Sequence, residues 1–458
     1  MILVGVAGVA AARPLSDNSF LTHLATGRLI LDTGELPSVD PYTFTGGGEP
    51  WIAQSWLASV VYGVVELVGG GLGLRLLHGG LIVSLAVLVW WLTSRAPAPT
   101  TRLVVAAPVV LLGLTRWTER PLLAGLIGLA LVLAALQGRI DPRLLVPVLW
   151  VWVNSHGSFP LAVALLGAAV VGQLLDREPV AATLRVAGWA GLGILLGGLN
   201  PYGTRLWTFP VELMARSGLL RDMVREWQPI GLDQPSALIF VVMVLLAVIG
   251  VSRDRRWAEV LPAIGFTIGA ILSVRNTGPA TLVLIPVLAR GLAGEEIGRL
   301  PQLSAPTARR ASVAVGAGLA AIAALMMMVT PTWDWDGYPV TSLAVADARG
   351  LTGPDVRLVA RDYVGNARTF REGAHRSVFI DDRYEMHSDQ LILDQVELMA
   401  GTGWERILDR YEADAVLWET ETPLGEALAA SSDWVSIETE PGWLLACRRG
   451  SRIEGSCR

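Results

Sequence analysis

Residues 121–137 read PLLAGLIGLALVLAALQ, with no polar side chain between Pro121 and Gln137. A helix that is apolar on every face has no side to turn toward water, so it belongs in lipid or inside a large helical bundle. Comparable runs recur at 1–15, 73–93, 103–115, 144–153, 159–175, 183–199, 236–251, 258–274, 279–294 and 311–330. They make about eleven candidate spans, several of them shorter than the roughly 20 residues a straight crossing needs. Composition agrees. Hydrophobic residues are 52% of the 458 and charged ones 17%, whereas soluble proteins carry about 25% charge. The mean hydropathy is +0.49. The fold expected is therefore an α-helical polytopic membrane protein. A net charge of −5 without one lysine offers no basic face to a phosphate backbone, which excludes nucleic acid as a partner along with soluble dehydrogenases and kinases.

Near residue 330 the pattern changes to that of an ordinary soluble domain. Strand-like runs at Val356–Ala360, Ser377–Ile380, Ala413–Trp418, Val435–Glu438 and Trp443–Cys447 alternate with helical ones at Ser342–Arg349, Asp389–Met399, Gly403–Arg410 and Pro423–Ala430. The division predicted is a membrane domain over 1–330, with an acidic first outer loop at 13–55, and a small α/β domain over 331–458. The positive-inside rule places the loops holding Arg95 and Arg102, Arg139 and Arg143, Arg177 and Arg185, Arg253 to Arg256, and Arg299 to Arg310 in the cytoplasm. This parity holds when Trp51 to Leu67, which contains Glu66, lies on the outer surface without spanning. It also puts the C-terminal domain outside, where Cys447 and Cys457 can keep one disulfide.

The densest polar chemistry lies in the first outer loop, with Asp17, His23, Arg28, Asp40, Trp51 and Trp56. Just outside a span, a carboxylate can take a proton from a hydroxyl while the lipid part of a donor stays in the bilayer. Asp17 is the foremost candidate base, and it is equally placed to cap a helix starting near Ser19. Asp40, before Pro41, is a second candidate carboxylate or simply a turn residue. His23 is a candidate base or an interfacial hydrogen-bonded histidine. Other outer loops supply Arg116, Glu119, Arg120, Asn154, His156, Asn200, Tyr202, Glu226, Trp227, Arg275 and Asn276. Arg116, Arg120 and Arg275 are candidate clamps for a donor phosphate, because a guanidinium offers a planar charged fork. The alternative for them is snorkelling or a salt bridge to Glu119 or Glu226. His156, Asn200, Tyr202, Glu226 and Trp227 are candidate contacts for sugar or acceptor, and the outer tryptophans also suit interfacial anchoring. Asp381-Asp382-Arg383-Tyr384 follows an apolar strand and suits either a ligand or a local salt bridge. There is no Walker loop, HExxH motif or zinc spacing.

The order Asp17, His23-Leu-Ala-Thr-Gly27, Gly34-Glu-Leu-Pro37, Asp40-Pro41-Tyr-Thr-Phe-Thr45, Trp51 and Trp56 resembles the opening of bacterial multi-pass proteins related to the GT-C glycosyltransferases. The resemblance continues through Glu119-Arg120-Pro121, Asn154-Ser-His156-Gly157, Asn200-Pro201-Tyr202-Gly203, Glu226-Trp227 and Phe379-Ile-Asp-Asp-Arg383, and so covers nearly the whole chain. It implies a plasma-membrane enzyme like the protein O-mannosyltransferases and aminoarabinose transferases, with a polyprenyl-phosphate sugar as donor and an envelope glycan, lipid or protein as acceptor. In those enzymes an acidic residue just past the first span serves as base, and the matching residue is Asp17. Their adjacent acidic pair is missing, since Asn18 follows Asp17; a divalent cation stays a candidate cofactor. The expected function is inverting sugar transfer on the outer face. The alternatives are a non-catalytic scaffold binding lipid-linked glycan and, third, a transporter.

Overall fold

The computed structural model describes residues 2–96, 98–216, 218, 224–293, 305–451 and 453–457. The expected cytoplasmic loop around Arg299 lies largely outside them, as do residues 219–223 of the Asn200–Pro235 loop. Contacts divide the chain into two compact units, one of Met1–Leu15 with Val65–Trp333 and one of Ser16–Val64 with Asp334–Arg458. This differs from the expected boundary at 330. The 16–64 segment folds with the C-terminal segment, because its polar residues find their partners there.

The first unit is helical: α1 (Ile2–Ala11), the second arm of α3 (Trp56–Leu92), α4 (Pro99–Leu114), α5 (Leu122–Leu136), α6 (Leu145–Ser155), α7 (Pro160–Leu175), α8 (Ala181–Leu196), α9 (Arg205–Ala215), α10 (Pro235–Arg253), α11 (Trp257–Leu272), α12 (Thr277–Gly291) and α13 (Ala305–Val329). The intervening α2 (Asn18–Thr33) belongs to the second unit. Helix α12 is central. Every residue of it except Arg290 is buried, and it packs on α4, α5, α10 and α11. Helix α3 breaks at Gly70, whose φ of 56° and ψ of −152° only glycine adopts cheaply. The arm after the break has about 22 residues, or roughly 33 Å of helix. Arg75, one turn into that arm, is buried and donates to the carbonyls of Met327 (3.0 Å), Thr330 (3.2 Å) and Ala12 and to the Thr330 hydroxyl (2.7 Å). Its charge meets the orphan carbonyls at the ends of α1 and α13, where the helix dipoles favour a cation.

Among the described residues three helical stretches are long and apolar enough to cross a membrane: Trp56–Arg95, Pro235–Arg253 and Arg310–Val329. Five more, α4, α5, α7, α8 and α11, are apolar but only 15 or 16 residues long. The protein is thus mostly helical and membrane-suited, as expected, while the expected count of eleven spans is not reached by length.

The second unit carries a four-stranded sheet in the order β1-β2-β4-β3, from β1 (Leu358–Val359), β2 (Ala415–Glu419), β3 (Trp434–Glu440) and β4 (Trp443–Arg448). Strands β1 and β2 are parallel, and the other pairs are antiparallel. With α14 (Val340–Ala348), α15 (Asp362–Glu372), α16 (Asp389–Met399), α17 (Trp404–Arg410) and α18 (Pro423–Ala430), the sheet makes the small α/β fold expected. Its core holds Phe379, Leu391, Ile407, Val416, Trp418 and Leu444. Cys447 and Cys457 are disulfide-bonded. The run Ser377–Ile380, expected as a sheet strand, instead pairs with the 16–64 segment: Phe44 N–H donates to the Val378 carbonyl (2.9 Å) and Val378 N–H to that of Tyr42 (3.1 Å). Its backbone groups are satisfied by a distant loop rather than by the sheet.

Candidate functional site

In the second unit, helix α2 starts at Asp17. The Asp17 carboxylate accepts the backbone N–H of Phe20 at 3.3 Å, so it caps the helix. Helix α2 lies on α15 through Thr22, whose hydroxyl donates to Asn366 Oδ1 at 2.9 Å, and through Arg28, which donates to the Phe370 carbonyl at 3.0 Å and stacks on its ring. Its other face meets the first arm of α3 at Gly27, where a methyl would fall 1.9 Å from the Ser59 carbonyl oxygen. That contact brings His23 Nδ1 to 3.4 Å from the Ser59 hydroxyl.

Around Asp17 the chain collects more carboxylates. The Tyr338 phenol is pushed above its ordinary value, first by burial and then by the charges of Asp17, Asp382, Asp362 and Asp334. Ser19 donates its hydroxyl to Asp382, and Tyr384 donates to Asp362 Oδ2 at 2.9 Å. A row of rings in edge or tilted contact runs alongside: Phe370 with Trp335 (6.1 Å), Trp335 with Tyr338 (5.3 Å), Tyr338 with Tyr363 (5.6 Å) and Tyr363 with Trp443 (6.4 Å). Half-exposed carboxylates beside aromatic faces are what a polyhydroxylated ligand needs, oxygens to accept from its hydroxyls and rings to cover its C–H faces. Sequence reasoning missed Trp335, Tyr338 and Asp362. The alternation Trp333-Asp-Trp-Asp-Gly-Tyr338 was the signal for the first two.

Asp40 sits elsewhere in this unit and does different work. It is fully buried. Its carboxylate accepts Tyr42 N–H and Thr43 N–H, both at 3.1 Å, and the Thr43 hydroxyl, which makes an Asx turn before the chain descends. It also pairs with Arg383 at 2.7 Å. Arg383 bonds Asp381 (2.7 Å) and lies over the rings of Tyr42 and Trp51, while His387 Nε2 lies 3.1 Å from Asp381. Burial opposes the Asp381 charge, but Arg383 and His387 outweigh it and hold this carboxyl well below the usual range. Burial likewise opposes the charge of Arg383, and Asp381 and Asp40 overcome it. The Asp381-Asp382-Arg383-Tyr384 stretch thus divides: Asp381 and Arg383 turn inward to a salt bridge, whereas Asp382 and Tyr384 join the Asp17 surface.

The candidate cations belong to the first unit, where three loops meet. Val274 N–H donates to the Gln228 carbonyl (2.9 Å), Ile230 N–H to that of Ile271 (3.2 Å) and the Ser273 hydroxyl to that of Glu226 (3.1 Å). Arg120 reaches Glu226 at 2.6 Å, with 28% and 43% of the two side chains exposed, so this pair is accessible to solvent. Arg275 lies 4.7 Å over the Trp227 ring, and Arg116 reaches Gln234 at 3.5 Å. Beneath them Glu119 is buried against His78 at 3.5 Å, and His78 Nε2 is 3.1 Å from the Trp117 carbonyl, which fixes the turn carrying Arg116 and Arg120.

The remaining candidates have structural partners. His156 Nδ1 is 2.8 Å from the Ser158 hydroxyl, which also accepts Trp152 Nε1–H at 3.0 Å. Asn154 and Asn200 both donate to the Gly197 carbonyl, and Asn200 Oδ1 accepts Tyr202 N–H at 2.7 Å. Gly125, one turn into α5, lies against Ser158, so the His156 turn abuts the helix that follows Arg120. Among the described residues no three or more His, Cys, Asp or Glu side chains are grouped to hold a metal ion, so no step is assigned to a divalent cation.

No protein-family model matches the chain, and no curated protein matches it. Among solved structures, an oligosaccharyltransferase of Archaeoglobus fulgidus, tethered to an acceptor peptide containing the NVT sequon, is similar at a TM-score of 0.54 and 11% identity, over 92% of this chain and 69% of that one. AglB, an oligosaccharyltransferase from the same organism solved with an inhibitory peptide and a dolichol-phosphate, is similar at 0.54 and 12%, over 99% and 76%. The arabinofuranosyltransferase AftD from Mycobacteria reaches 0.46 and 13%, over 97% and 41%, a score at which the likeness carries no weight. At these identities the likeness is one of fold alone, the fold that these two oligosaccharyltransferase structures share.

Proposed function

We propose that the chain is a membrane glycosyltransferase that moves a sugar from a polyprenyl-phosphate carrier to a hydroxyl of a cell-envelope acceptor on the outer face. The observation that carries this reading is the half-exposed carboxylates Asp17, Asp362 and Asp382, the last two bonded to Tyr384 and Ser19, in a unit with a row of aromatic rings and in a chain whose fold resembles that of oligosaccharyltransferases. In the step proposed, the acceptor oxygen attacks the anomeric carbon, its proton passes to the Asp17 carboxylate, and the bond from that carbon to the carrier phosphate breaks. The phosphate leaves with the electron pair, and one displacement inverts the anomeric centre. Arg275, Arg120 and Arg116 of the first unit are assigned to the charge that develops on the donor phosphate. The pairing of Arg120 with Glu226 suits this role, since an exposed pair opens at little cost as the departing phosphate gains its second negative charge. Trp227, His156, Asn200 and Tyr202 are assigned to shaping the sugar or acceptor site, and Asp40 to holding its loop. AglB, whose fold is similar, is solved with a dolichol-phosphate, which is a polyprenyl phosphate like the carrier proposed. The disulfide supports an extracytoplasmic C-terminal domain, because such bonds persist in oxidising compartments.

The test uses Asp17→Asn, which keeps the cap because Asn caps a helix as well as Asp does. Purified wild type and variant are incubated with radiolabelled polyprenyl-phosphate sugars and envelope extract. Transfer by wild type and a loss of about 100-fold or more in a folded variant is expected. Equal rates from both would remove Asp17 from the chemistry and leave His23 as the next base to try.

A further inference from the structure

One end of the helical unit holds a second set of arginines, apart from the residues assigned to transfer. At that end several charges are paired. Glu259 pairs with Arg95 and with Arg290 (2.5 Å), Asp254 lies 3.7 Å from Arg290, and Glu178 is 3.7 Å from Arg256. Arg102 and Arg139 stand outside these pairs and are partly buried. Arg102 donates to the Trp90 carbonyl (2.8 Å) and the Thr93 hydroxyl (3.3 Å), and its guanidinium stacks 4.2 Å over the Trp90 ring. Arg139 donates to Gln137 Oε1 (2.8 Å) and lies 5.8 Å from the Trp91 ring. All these hydrogen bonds end on neutral oxygens, and neither guanidinium has a carboxylate partner among the described residues.

Two guanidinium groups held beside the adjacent indoles of Trp90 and Trp91, bonded only to neutral oxygens, keep their charge available to an anion. Adjacent tryptophans at the end of an apolar helix are the side chains that settle at the headgroup level of a bilayer. We infer that Arg102 and Arg139, framed by Trp90 and Trp91, bind the phosphodiester headgroup of an anionic phospholipid of the surrounding leaflet. Each guanidinium presents a fork of N–H donors to phosphate oxygens, while the indoles cover the glycerol and upper acyl region. This inference is independent of the transfer reaction.

The experiment titrates the full-length chain in neutral detergent with phosphatidylglycerol, counting bound lipid by native mass spectrometry, with phosphatidylcholine and soluble glycerol phosphate in parallel. Each surface cation is worth about fivefold in attraction to anionic lipid, so Arg102→Gln with Arg139→Gln is expected to weaken phosphatidylglycerol binding roughly 30-fold. Arg143→Gln with Arg255→Gln removes the same charge from exposed arginines that also lie near tryptophans, and is expected to cost a few-fold at most. Unchanged binding by the Arg102/Arg139 variant, an equal loss in the charge-matched control, or equal affinity for phosphatidylcholine overturns the site. Full competition by glycerol phosphate at the lipid's own concentration overturns the lipid as its source. Where the Gln pair does not fold, salt takes its place: wild-type affinity for phosphatidylglycerol must fall steeply from 50 to 500 mM NaCl, and a flat response overturns the proposal just as firmly.

Discussion

Two charged clusters in this protein use the same residue types to opposite ends. Around Arg383 in the second unit, Asp40 and Asp381 are completely buried and Arg383 is 6% exposed, and the carboxylate oxygens named above are bonded. Around Arg275 and Arg120 in the first unit, the charges stand half-exposed at loop ends, one over an indole and one on an accessible glutamate. A buried ion is held by its partners and cannot leave them without an uncompensated charge remaining in low dielectric. An exposed ion exchanges partners freely. The residue type therefore says little about role, and the surroundings say most of it.

The largest expected effect breaks the buried cluster. Arg383→Met strips Asp40 and Asp381 of their buried arginine and should cost about 3–5 kcal/mol, read as a lowered urea midpoint for the unit that contains the disulfide. A loss under ~1 kcal/mol would erase the contrast. Next comes Asp17, whose two roles separate by substitution. Asp17→Asn and Asp17→Ala should both lose about 100-fold in turnover, but only Ala should also lose about 1 kcal/mol of stability, because it cannot cap. Equal stability for the two would mean that the cap contributes nothing.

Acid sharpens the comparison further. The folded Asp381 carboxyl lies below its unfolded value, so its contribution is complete above about pH 4 and is lost as pH falls through the folded value. Urea midpoints of wild type should hold from pH 7 to 5 and drop below about pH 4, while Arg383→Met, in which Asp381 lacks its main counter-charge, should lose much of that acid drop. The smallest effect on stability belongs to the exposed pair. Glu226→Gln should change it by less than about 1 kcal/mol and yet alter KM for a phosphate-linked donor, because Arg120 no longer has to leave a carboxylate. A stability loss comparable with that of Arg383→Met would place Arg120 with the structural charges.

Much of this was legible in the sequence where it depends on near neighbours. Asp17 three residues ahead of Phe20, and Asp40 ahead of Pro41, show their cap and turn geometry locally. Apolar runs such as 122–136 announce helices, and β2 and β4 stand out by their Val, Leu and Trp content. Long-range matches were not legible. Nothing near Asp40 announces that its partner is Arg383, 343 positions away. Helix α15 escaped notice because its sequence is polar and its buried face carries Asn366, whose Oδ1 accepts from the Thr22 hydroxyl and from Asp382 N–H. Ser377–Ile380 has the composition of a strand, and only the presence of Pro41–Phe44 decides where its backbone pairs.

The discontinuity of the second unit bears on how the protein is made. Residues 16–64 leave the ribosome early, but the groups that satisfy Asp40, Thr22 and Arg28 arrive only with Arg383, Asn366 and Phe370. At ~5–20 residues per second, the earlier segment waits on the order of 15–60 s with its future interior exposed. Such long-range closure is slow in any chain. During that wait the segment is a natural client for chaperones, and a ribosome stalled before residue 366 leaves Thr22, Arg28 and Asp40 short of these contacts.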